Sequence, residues 1–245
     1  MSMFNKVALV TGASRGIGAS IAKRLAKDGF AVVVNYAGRE DAAKEVVNHI
    51  TQSGGIALPY QADVSDAVLV QAMFDHVEST LGKVDVLVNN AGVMELKPLA
   101  KADIQHVDKQ IDINLKGTIN TMREASTRLN KGGRVINFSS SVVGLKLENY
   151  GVYAATKAAV ETLTAIMAKE MRGKNITVNA VAPGPTATEL FLKGKSDELV
   201  ERMAKMSPLE RIGTPDDIAS VVSFLANPDS GWVNGQVLRA NGGVI

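Results

Sequence analysis

The stretch Thr11–Gly18, TGASRGIG, separates two different patterns of hydrophobicity. The residues before it, Lys6–Thr11, form a short apolar run that is typical of a buried strand. After it, Ile17–Asp28 places apolar side chains every four residues, which is typical of one face of a helix. Glycines at a strand-to-helix turn let the backbone approach a pyrophosphate, and the free N–H groups of the helix N-terminus attract its charge. The stretch therefore predicts the dinucleotide-binding turn of a βα unit.

The rest of the chain repeats this alternation of strand and helix. Further strands are predicted at Ala31–Asn35, Ile56–Gln61, Val84–Val88, Gly133–Phe138, Ile176–Val181 and Gln236–Ala240, and helices at Glu40–Gln52, Asp66–Leu81, Asp103–Leu129, Tyr150–Met171 and Pro215–Leu225. Residues 190–210, which include Leu190–Met206, are interpreted as a mobile segment on the substrate side. We therefore expect an α/β fold: a single Rossmann domain over residues 1–245. Its doubly wound parallel sheet has about seven strands, in the order 3-2-1-4-5-6-7, with helices on both faces.

Composition excludes several classes of function. The 245 residues are 46% hydrophobic and 21% charged, and the net charge of +2 without long runs of one sign gives no basis for nucleic-acid binding. Without cysteine the chain has no disulfide, thiol nucleophile or Cys-ligated zinc, and the three histidines are too isolated to predict a metal site. Because neither a secretory leader nor a membrane-spanning run is recognisable, we expect a cytoplasmic protein with no membrane partner.

Tyr153 and Lys157 are four residues apart on a predicted helix and so lie on one face. A nearby ammonium stabilises a phenolate and lowers the pKa of a tyrosine, which makes the pair a candidate acid/base unit. Ser139–Ser141 ends the preceding strand, where a hydroxyl can hydrogen-bond a carbonyl oxygen as negative charge develops on it. The alternatives are a surface Tyr–Lys pair and serines that cap a turn.

Taken together, these motifs resemble the ordered set of the short-chain dehydrogenase/reductase family. The set comprises TGxxxGxG at Thr11–Gly18, NNAG at Asn89–Gly92, Ser140 thirteen residues before YxxxK, and Pro183–Gly184 after the sixth strand. Each motif is weak alone, but the ordered set is specific and runs from about residue 6 to residue 243.

The resemblance implies a catalytic role for four residues. Tyr153 donates a proton to the substrate oxygen in reduction and removes it in oxidation, while hydride passes directly between nicotinamide and substrate carbon. Lys157 lowers the pKa of Tyr153 and holds the nicotinamide ribose, and Ser140 orients the carbonyl. Asn114 anchors a proton-relay water, although an amide bonded to backbone is the alternative for an asparagine inside a helix.

The resemblance also implies the cofactor contacts. The expected binding residues are Gly12, Ser14, Arg15, Gly16, Ile17, Gly18, Asn35, Tyr36, Ala37, Asp63, Val64, Asn90, Ala91, Gly92, Tyr153, Lys157, Pro183, Gly184, Thr186 and Thr188. Tyr36 stands where NAD-preferring relatives carry Asp, and Arg15 stands where NADP-preferring relatives carry a basic residue, with Arg39 close by. Since guanidinium groups suit a 2′-phosphate, we expect NADP(H) as cofactor.

The leading functional prediction is NADPH-dependent reduction of a small aldehyde or ketone, because the cleft loops resemble those of general carbonyl reductases. An apolar pocket is expected from Leu145, Leu147, Leu190, Phe191 and Leu192, unless these side chains belong to the core.

Other functions share the same motifs. The main alternative is a 3-oxoacyl-acyl-carrier-protein reductase, for which Lys131 and Lys174 are candidate docking residues beside the cleft. A non-catalytic NADP-binding regulator is disfavoured, because all four catalytic residues are present.

A homotetramer is expected from the resemblance. The two long helices, Asp103–Leu129 and Tyr150–Met171, would pair across a two-fold axis. Val160, Leu163 and Met167 are the apolar candidates for that contact.

Overall fold

The computed structural model describes residues 6–245, and all seven strands of these residues form one parallel sheet. The strands lie in the order β3-β2-β1-β4-β5-β6-β7, which confirms the predicted doubly wound α/β fold. Their bounds are β1 Val7–Val10, β2 Ala31–Tyr36, β3 Ile56–Gln61, β4 Val84–Asn89, β5 Arg134–Phe138, β6 Thr177–Pro183 and β7 Val237–Ala240. Residues 1–5 of the expected domain lie outside the described residues.

Helices cover both faces of the sheet. Their bounds are α1 Gly16–Lys27, α2 Glu40–Gln52, α3 Ala67–Thr80, α4 Ile104–Gln110, α5 Gly117–Arg128, α6 Val142–Leu145, α7 Gly151–Glu170, α8 Glu189–Leu192, α9 Asp197–Lys205 and α10 Pro215–Ala226. A π-helical turn, Ile111–Lys116, joins α4 to α5, so the long helix predicted there is continuous but irregular. Within residues 6–245, no helix has the length and apolar character needed to cross a bilayer.

Alternation along the central strand divides the core into two halves. Ala8 and Val10 of β1 belong to the apolar layer under α1 and α10, whereas Val7 and Leu9 belong to the layer under α3, α5 and α7. Leu25 of α1 is fully buried in the first layer. Because helices cover β1 from both sides, this strand is apolar on both faces. The two layers hold the sheet rigid and bring the carboxyl ends of its strands to one edge.

Side-chain caps fix where several helices begin. The Asp66 carboxylate accepts from the N–H groups of Val68 and Leu69 at the start of α3. Thr214 and Asp217 cap each other at the start of α10, with Pro215 in its first turn.

One prediction about α7 is wrong. Val160 and Met167 are buried against the sheet, and Leu163 packs beside them, so these residues do not form the outer face of the helix. The helical period places Ile166 on that face instead, 47% exposed.

Candidate active site

The glycine-rich turn packs tightly against the segment that follows β4. Gly12 has a left-handed φ of 61°, and a Cβ on it would lie 2.8 Å from the Cα of Ala91. A Cβ on Gly18 would contact the Gly12 carbonyl oxygen and would lie 2.5 Å from Nδ2 of Asn90. The turn therefore requires glycine at both positions, and it leaves the first turn of α1 without a side-chain cap. This open cradle fits a pyrophosphate group.

Polar side chains brace this turn from behind. Thr11 Oγ1 accepts from the N–H groups of Asn90 and Ala91 at 3.1 and 3.0 Å, and Asn90 Nδ2 donates to the carbonyl oxygens of Thr11 and Gly12. Asn35 Oδ1 accepts from Gly12 N–H at 3.2 Å. The side-chain amides of Asn90 and Asn35 thus hold the backbone of the glycine-rich turn.

The predicted cofactor residues meet in two adjoining cavities at the carboxyl edge of the sheet. The first, of about 320 Å³, is lined among others by Gly12, Ser14, Arg15, Gly16, Ile17, Gly18, Asn35, Tyr36, Ala37, Asp63, Val64, Asn90, Ala91, Gly92 and Thr188. The second, of about 150 Å³, is lined by Tyr153, Lys157, Pro183, Gly184 and Thr186 together with the predicted substrate residues. The shape of the edge therefore matches an extended dinucleotide followed by a smaller substrate.

The end of β2 carries no carboxylate. Tyr36 is 6% exposed and packs in the core, whereas Ala37 and Arg39 are exposed beside the cleft. The charge that faces this part of the cleft therefore comes from Arg15 and Arg39 rather than from the strand itself.

A third charge, Glu189, joins these two arginines and was not predicted. Its Oε2 lies 2.6 Å from Nη1 of Arg15, and its Oε1 lies 3.1 Å from Nη2 of Arg39. Hydrogen bonds from both guanidinium groups lower the pKa of Glu189 below its usual value. Sequence reasoning missed the contact because the partners are 174 and 150 residues apart, with no motif connecting them.

The expected acid/base pair lines the second cavity. Tyr153 and Lys157 occupy successive turns of α7, and the Lys157 ammonium lies 5.7 Å from the Tyr153 ring centroid. Lys157 Nζ donates to the Phe138 carbonyl oxygen at the end of β5, at 2.9 Å. A Cβ on Gly92 would lie 3.2 Å from Asn114 Oδ1 and 3.6 Å from Lys157 Nζ, so these three residues converge.

Burial dominates the ionisation of both groups. It raises the pKa of Tyr153 to about 12, against the opposing effect of a hydrogen bond with Ser140. It lowers the pKa of Lys157 to about 8. The direction for Tyr153 differs from the lowering expected from Lys157, because desolvation of the phenolate is the largest influence on this pKa. Tyr153 is therefore protonated at neutral pH, the form that a proton donor needs.

The three serines after β5 have different partners. Ser139 is buried and its hydroxyl donates to the Glu161 carboxylate at 2.6 Å. The Ser141 hydroxyl donates to a backbone carbonyl oxygen and accepts from the side-chain amide of Asn241. Ser140 is the one of the three whose hydroxyl acts to lower the pKa of Tyr153. The geometry thus favours Ser140 as the serine that meets a substrate oxygen.

Asn114 lies behind the site rather than in it. The side chain is fully buried in the π-helical turn, with Oδ1 accepting from Val93 N–H at 2.8 Å and Nδ2 donating to Val93 C=O at 2.9 Å. From the sequence, the alternative role of Asn114 is an amide bonded to backbone, and the amide does bond backbone. The backbone is that of Val93 in the cleft wall, not that of its own helix. Asn114 therefore positions the wall of both cavities.

The second cavity has an apolar wall. Of the five predicted residues, Leu145, Leu147, Leu190 and Phe191 line it and belong to neither core layer, whereas Leu192 does not line it. Sequence reasoning missed further apolar or aromatic lining residues, among them Val93, Met94, Phe138, Val142, Tyr150 and Met203. The three-residue spacing of Tyr150 and Tyr153 on α7 was a usable signal for one of them.

The two candidate docking lysines do not border the cleft. Lys131 and Lys174 precede β5 and β6, and their backbones are joined where Gly132 N–H donates to Lys174 C=O. Because the sheet is parallel, the amino ends of these strands lie at the edge opposite the cavities. The prediction that they form a patch beside the cleft of this chain is wrong.

Comparison with known proteins agrees with this geometry. A family model described as enoyl-(acyl carrier protein) reductase matches residues 12–245. A Picea abies protein named short-chain type dehydrogenase/reductase is 44% identical, over 98% of this chain and 92% of its own length. An Arabidopsis thaliana protein named NADPH-dependent aldehyde reductase-like protein, chloroplastic, is 41% identical over 100% of this chain and 96% of its own.

Two further similarities concern the cofactor and the alternative substrate. A Staphylococcus aureus 3-oxoacyl-[acyl-carrier-protein] reductase is 44% identical over 98% of each chain. The crystal structure of a Burkholderia cenocepacia short-chain dehydrogenase in complex with NADP is 34% identical, with a TM-score of 0.93 over 99% of each chain. By motifs, fold and relatives, this chain belongs to the short-chain dehydrogenase/reductase family and is an oxidoreductase that acts on carbonyl or alcohol groups.

Proposed function

We propose that the protein reduces aldehydes or ketones with NADPH, and that Tyr153 donates the proton to the carbonyl oxygen. The observation that carries the proposal is the position of Tyr153. It lies beside the Lys157 ammonium and, together with Ser140, lines the cavity that continues the glycine-rich cleft. Since Asn114, Ser140, Tyr153 and Lys157 are all present, a non-catalytic regulator is disfavoured.

Ser140, Tyr153 and Lys157 have different roles in the proposed reduction. When bound, NADPH would supply a hydride from its nicotinamide ring. Ser140 donates a hydrogen bond to the carbonyl oxygen, which gains negative charge as the carbonyl carbon is reduced. Tyr153 then transfers its phenolic proton to that oxygen, and the alcohol forms. The Lys157 ammonium stabilises the phenolate that Tyr153 leaves behind, at a separation where a buried charge acts strongly.

The cofactor preference rests on charge at the end of β2. Arg15 and Arg39 offer guanidinium groups to a 2′-phosphate, and exposed Ala37 offers no carboxylate that would favour a free 2′-hydroxyl. The NADPH-dependent Arabidopsis relative and the NADP complex of the Burkholderia structure support the same cofactor.

The substrate class rests on the apolar wall. Leu145, Leu147 and Phe191 favour a small or medium apolar carbonyl compound. Reduction of a 3-oxoacyl thioester is the second candidate, supported by the identity with the Staphylococcus aureus reductase. It is weakened by the position of Lys131 and Lys174 away from the cleft of this chain.

The test follows oxidation of NADPH, and separately of NADH, by simple aldehydes and ketones, an acetoacetyl thioester and an enoyl thioester. Rapid oxidation of NADPH by free carbonyls, with little from NADH, is the expected result. Activity confined to the acetoacetyl thioester would favour the second candidate. Tight NADPH binding without any turnover would contradict the proposal.

Oligomeric state and location are part of the same proposal. The outer faces of the π-helical turn, α5 and α7 expose Ile111, Ile119 and Ile166, which gives a homotetramer an apolar contact surface. A cytoplasmic location stays a prediction, and the Arabidopsis relative is named chloroplastic.

A further inference from the structure

Glu189 forms a two-armed ion pair across the mouth of the cofactor cleft. Besides the contacts to Arg15 at 2.6 Å and Arg39 at 3.1 Å, its Oε2 accepts from Nη1 of Arg39 at 3.2 Å. Both carboxylate oxygens therefore accept from Arg39, and one of them also accepts from Arg15. This is the geometry with which arginine binds a planar anion.

The same two guanidinium groups are those that the proposed function assigns to a 2′-phosphate. A phosphate and a carboxylate cannot both take these N–H donors, and their negative charges repel each other. The lowered pKa of Glu189 means that its carboxylate is charged at neutral pH.

We propose that Glu189 determines cofactor specificity by competing with the 2′-phosphate of NADPH for Arg15 and Arg39. The inference rests on the proposed NADPH site. It adds that this site is already filled by an internal anion, which a bound 2′-phosphate displaces and a cofactor with a free 2′-hydroxyl leaves in place.

Displacement has a consequence for the substrate side. Glu189 is the first residue of α8, and the next two residues, Leu190 and Phe191, line the substrate cavity. Thr188 caps α8 and lies 3.4 Å from the position of a Cβ on Gly16. Releasing Glu189 therefore removes one contact between α8 and the cofactor cleft, and we expect the position of α8 at the substrate wall to respond to a bound 2′-phosphate.

The size of the effect follows from exposure. The side chains of Arg15, Arg39 and Glu189 are 45%, 54% and 59% exposed, so salt screens the competition. We expect a change in affinity of about three-fold at low ionic strength, which disappears in about 1 M salt.

Binding of two nucleotides isolates the 2′-phosphate. Dissociation constants of adenosine 2′,5′-bisphosphate and of 5′-AMP are measured for the natural protein, for Glu189→Gln and for Glu198→Gln. Glu198 is a matched control, because it is an exposed carboxylate of α9 that does not line the cofactor cleft. Glu189→Gln should bind the bisphosphate about three-fold more tightly at low salt, with 5′-AMP unchanged and Glu198→Gln without effect.

The outcomes separate the two proposals. If the natural protein binds the bisphosphate no better than 5′-AMP, the proposed NADPH site fails and the inference fails with it. If the natural protein prefers the bisphosphate but Glu189→Gln binds it equally or more weakly, the inference alone is overturned. A gain for both nucleotides would also overturn it, because the effect would not concern the 2′-phosphate.

Hydrogen exchange tests the link to the substrate side. The bisphosphate should speed amide exchange in residues 189–205 of the natural protein, whereas in Glu189→Gln these amides should exchange quickly without it. Unchanged or slower exchange in the natural protein on adding the bisphosphate would overturn the coupling to α8.

Discussion

At the scale of single residues, burial sets the chemistry of the site. Tyr153 keeps its proton because desolvation raises its pKa to about 12, and Lys157 loses part of its affinity for a proton for the same reason. The motif of Tyr and Lys four residues apart predicted their proximity. It did not predict which influence wins, because the depth of the cavity is a property of the folded chain.

The first prediction concerns pH. Because burial lowers the pKa of Lys157 from 10.5 to about 8, its ammonium is lost as pH rises through about 8 rather than near 10.5. Loss of the Lys157 ammonium removes the charge that stabilises the Tyr153 phenolate. The value of kcat/KM for carbonyl reduction should therefore fall above about pH 8. A pH profile of kcat/KM checks this, with Lys157→Arg, which stays charged, as comparison. A natural profile that is flat to pH 10 would contradict the role of Lys157.

The second prediction concerns cofactor choice. Ala37→Asp should shift the ratio of NADPH to NADH activity toward NADH, because an exposed carboxylate there repels a 2′-phosphate and accepts from a 2′-hydroxyl. Tyr36→Asp is the contrasting variant, since Tyr36 is buried and its replacement puts a carboxylate into the core. It should lower Tm. An unchanged cofactor ratio in Ala37→Asp would show that the end of β2 does not face the 2′ position.

Two of the expected cofactor residues also support the glycine-rich turn. Asn35 and Asn90 line the cleft as expected, yet their amides hold the glycine-rich turn. The sequence motif does not distinguish an asparagine that contacts a cofactor from one that holds the backbone of the turn. Their distinction depends on hydrogen bonds between segments far apart in the chain.

At the scale of elements, strong periodicity predicted the bounds well. The bounds of α2 agree with the prediction, because charged and apolar positions recur there with a clear helical period, and the bounds of β3 agree as well. The segment of α8 and α9 was uncertain for a physical reason: both helices are short, and none of their residues is buried. The same exposure supports the proposal that it is mobile.

The π-helical turn was invisible in the sequence, and Asn114 is its buried residue. The inward amide pairs with both backbone groups of Val93, and the helix widens where it does so.

Asn114→Ala should leave these two backbone groups unpaired and lower the free energy of unfolding by about 2 kcal/mol. Urea unfolding measures it, with exposed Asn48→Ala of α2 as the control. A loss no larger than that of the control would mean that Asn114 does not brace the cleft wall.

At the scale of the whole molecule, the order of strands was predictable from alternation and the family motifs together. Which face of α7 is buried could not be predicted in this way. Val160 and Met167 are as apolar as Ile166, and only packing against the sheet distinguishes the buried residues from the exposed one.

The proposed tetramer gives the fourth prediction. Ile166→Glu should place a charge in the contact between subunits and shift the mass in solution toward dimer or monomer, measured by light scattering. Lys169→Glu, on the exposed end of the same helix, is the control. A natural protein that is monomeric at all concentrations would contradict the tetramer without affecting the active site.

The measurement that tests the central claim most directly is a single turnover of Tyr153→Phe with bound NADPH and the best carbonyl substrate. The variant lacks only the hydroxyl, so NADPH should bind with nearly natural affinity while reduction slows by about 100-fold or more. Reduction at the natural rate would show that another group donates the proton, and loss of NADPH binding would show that Tyr153 acts chiefly in holding the cofactor.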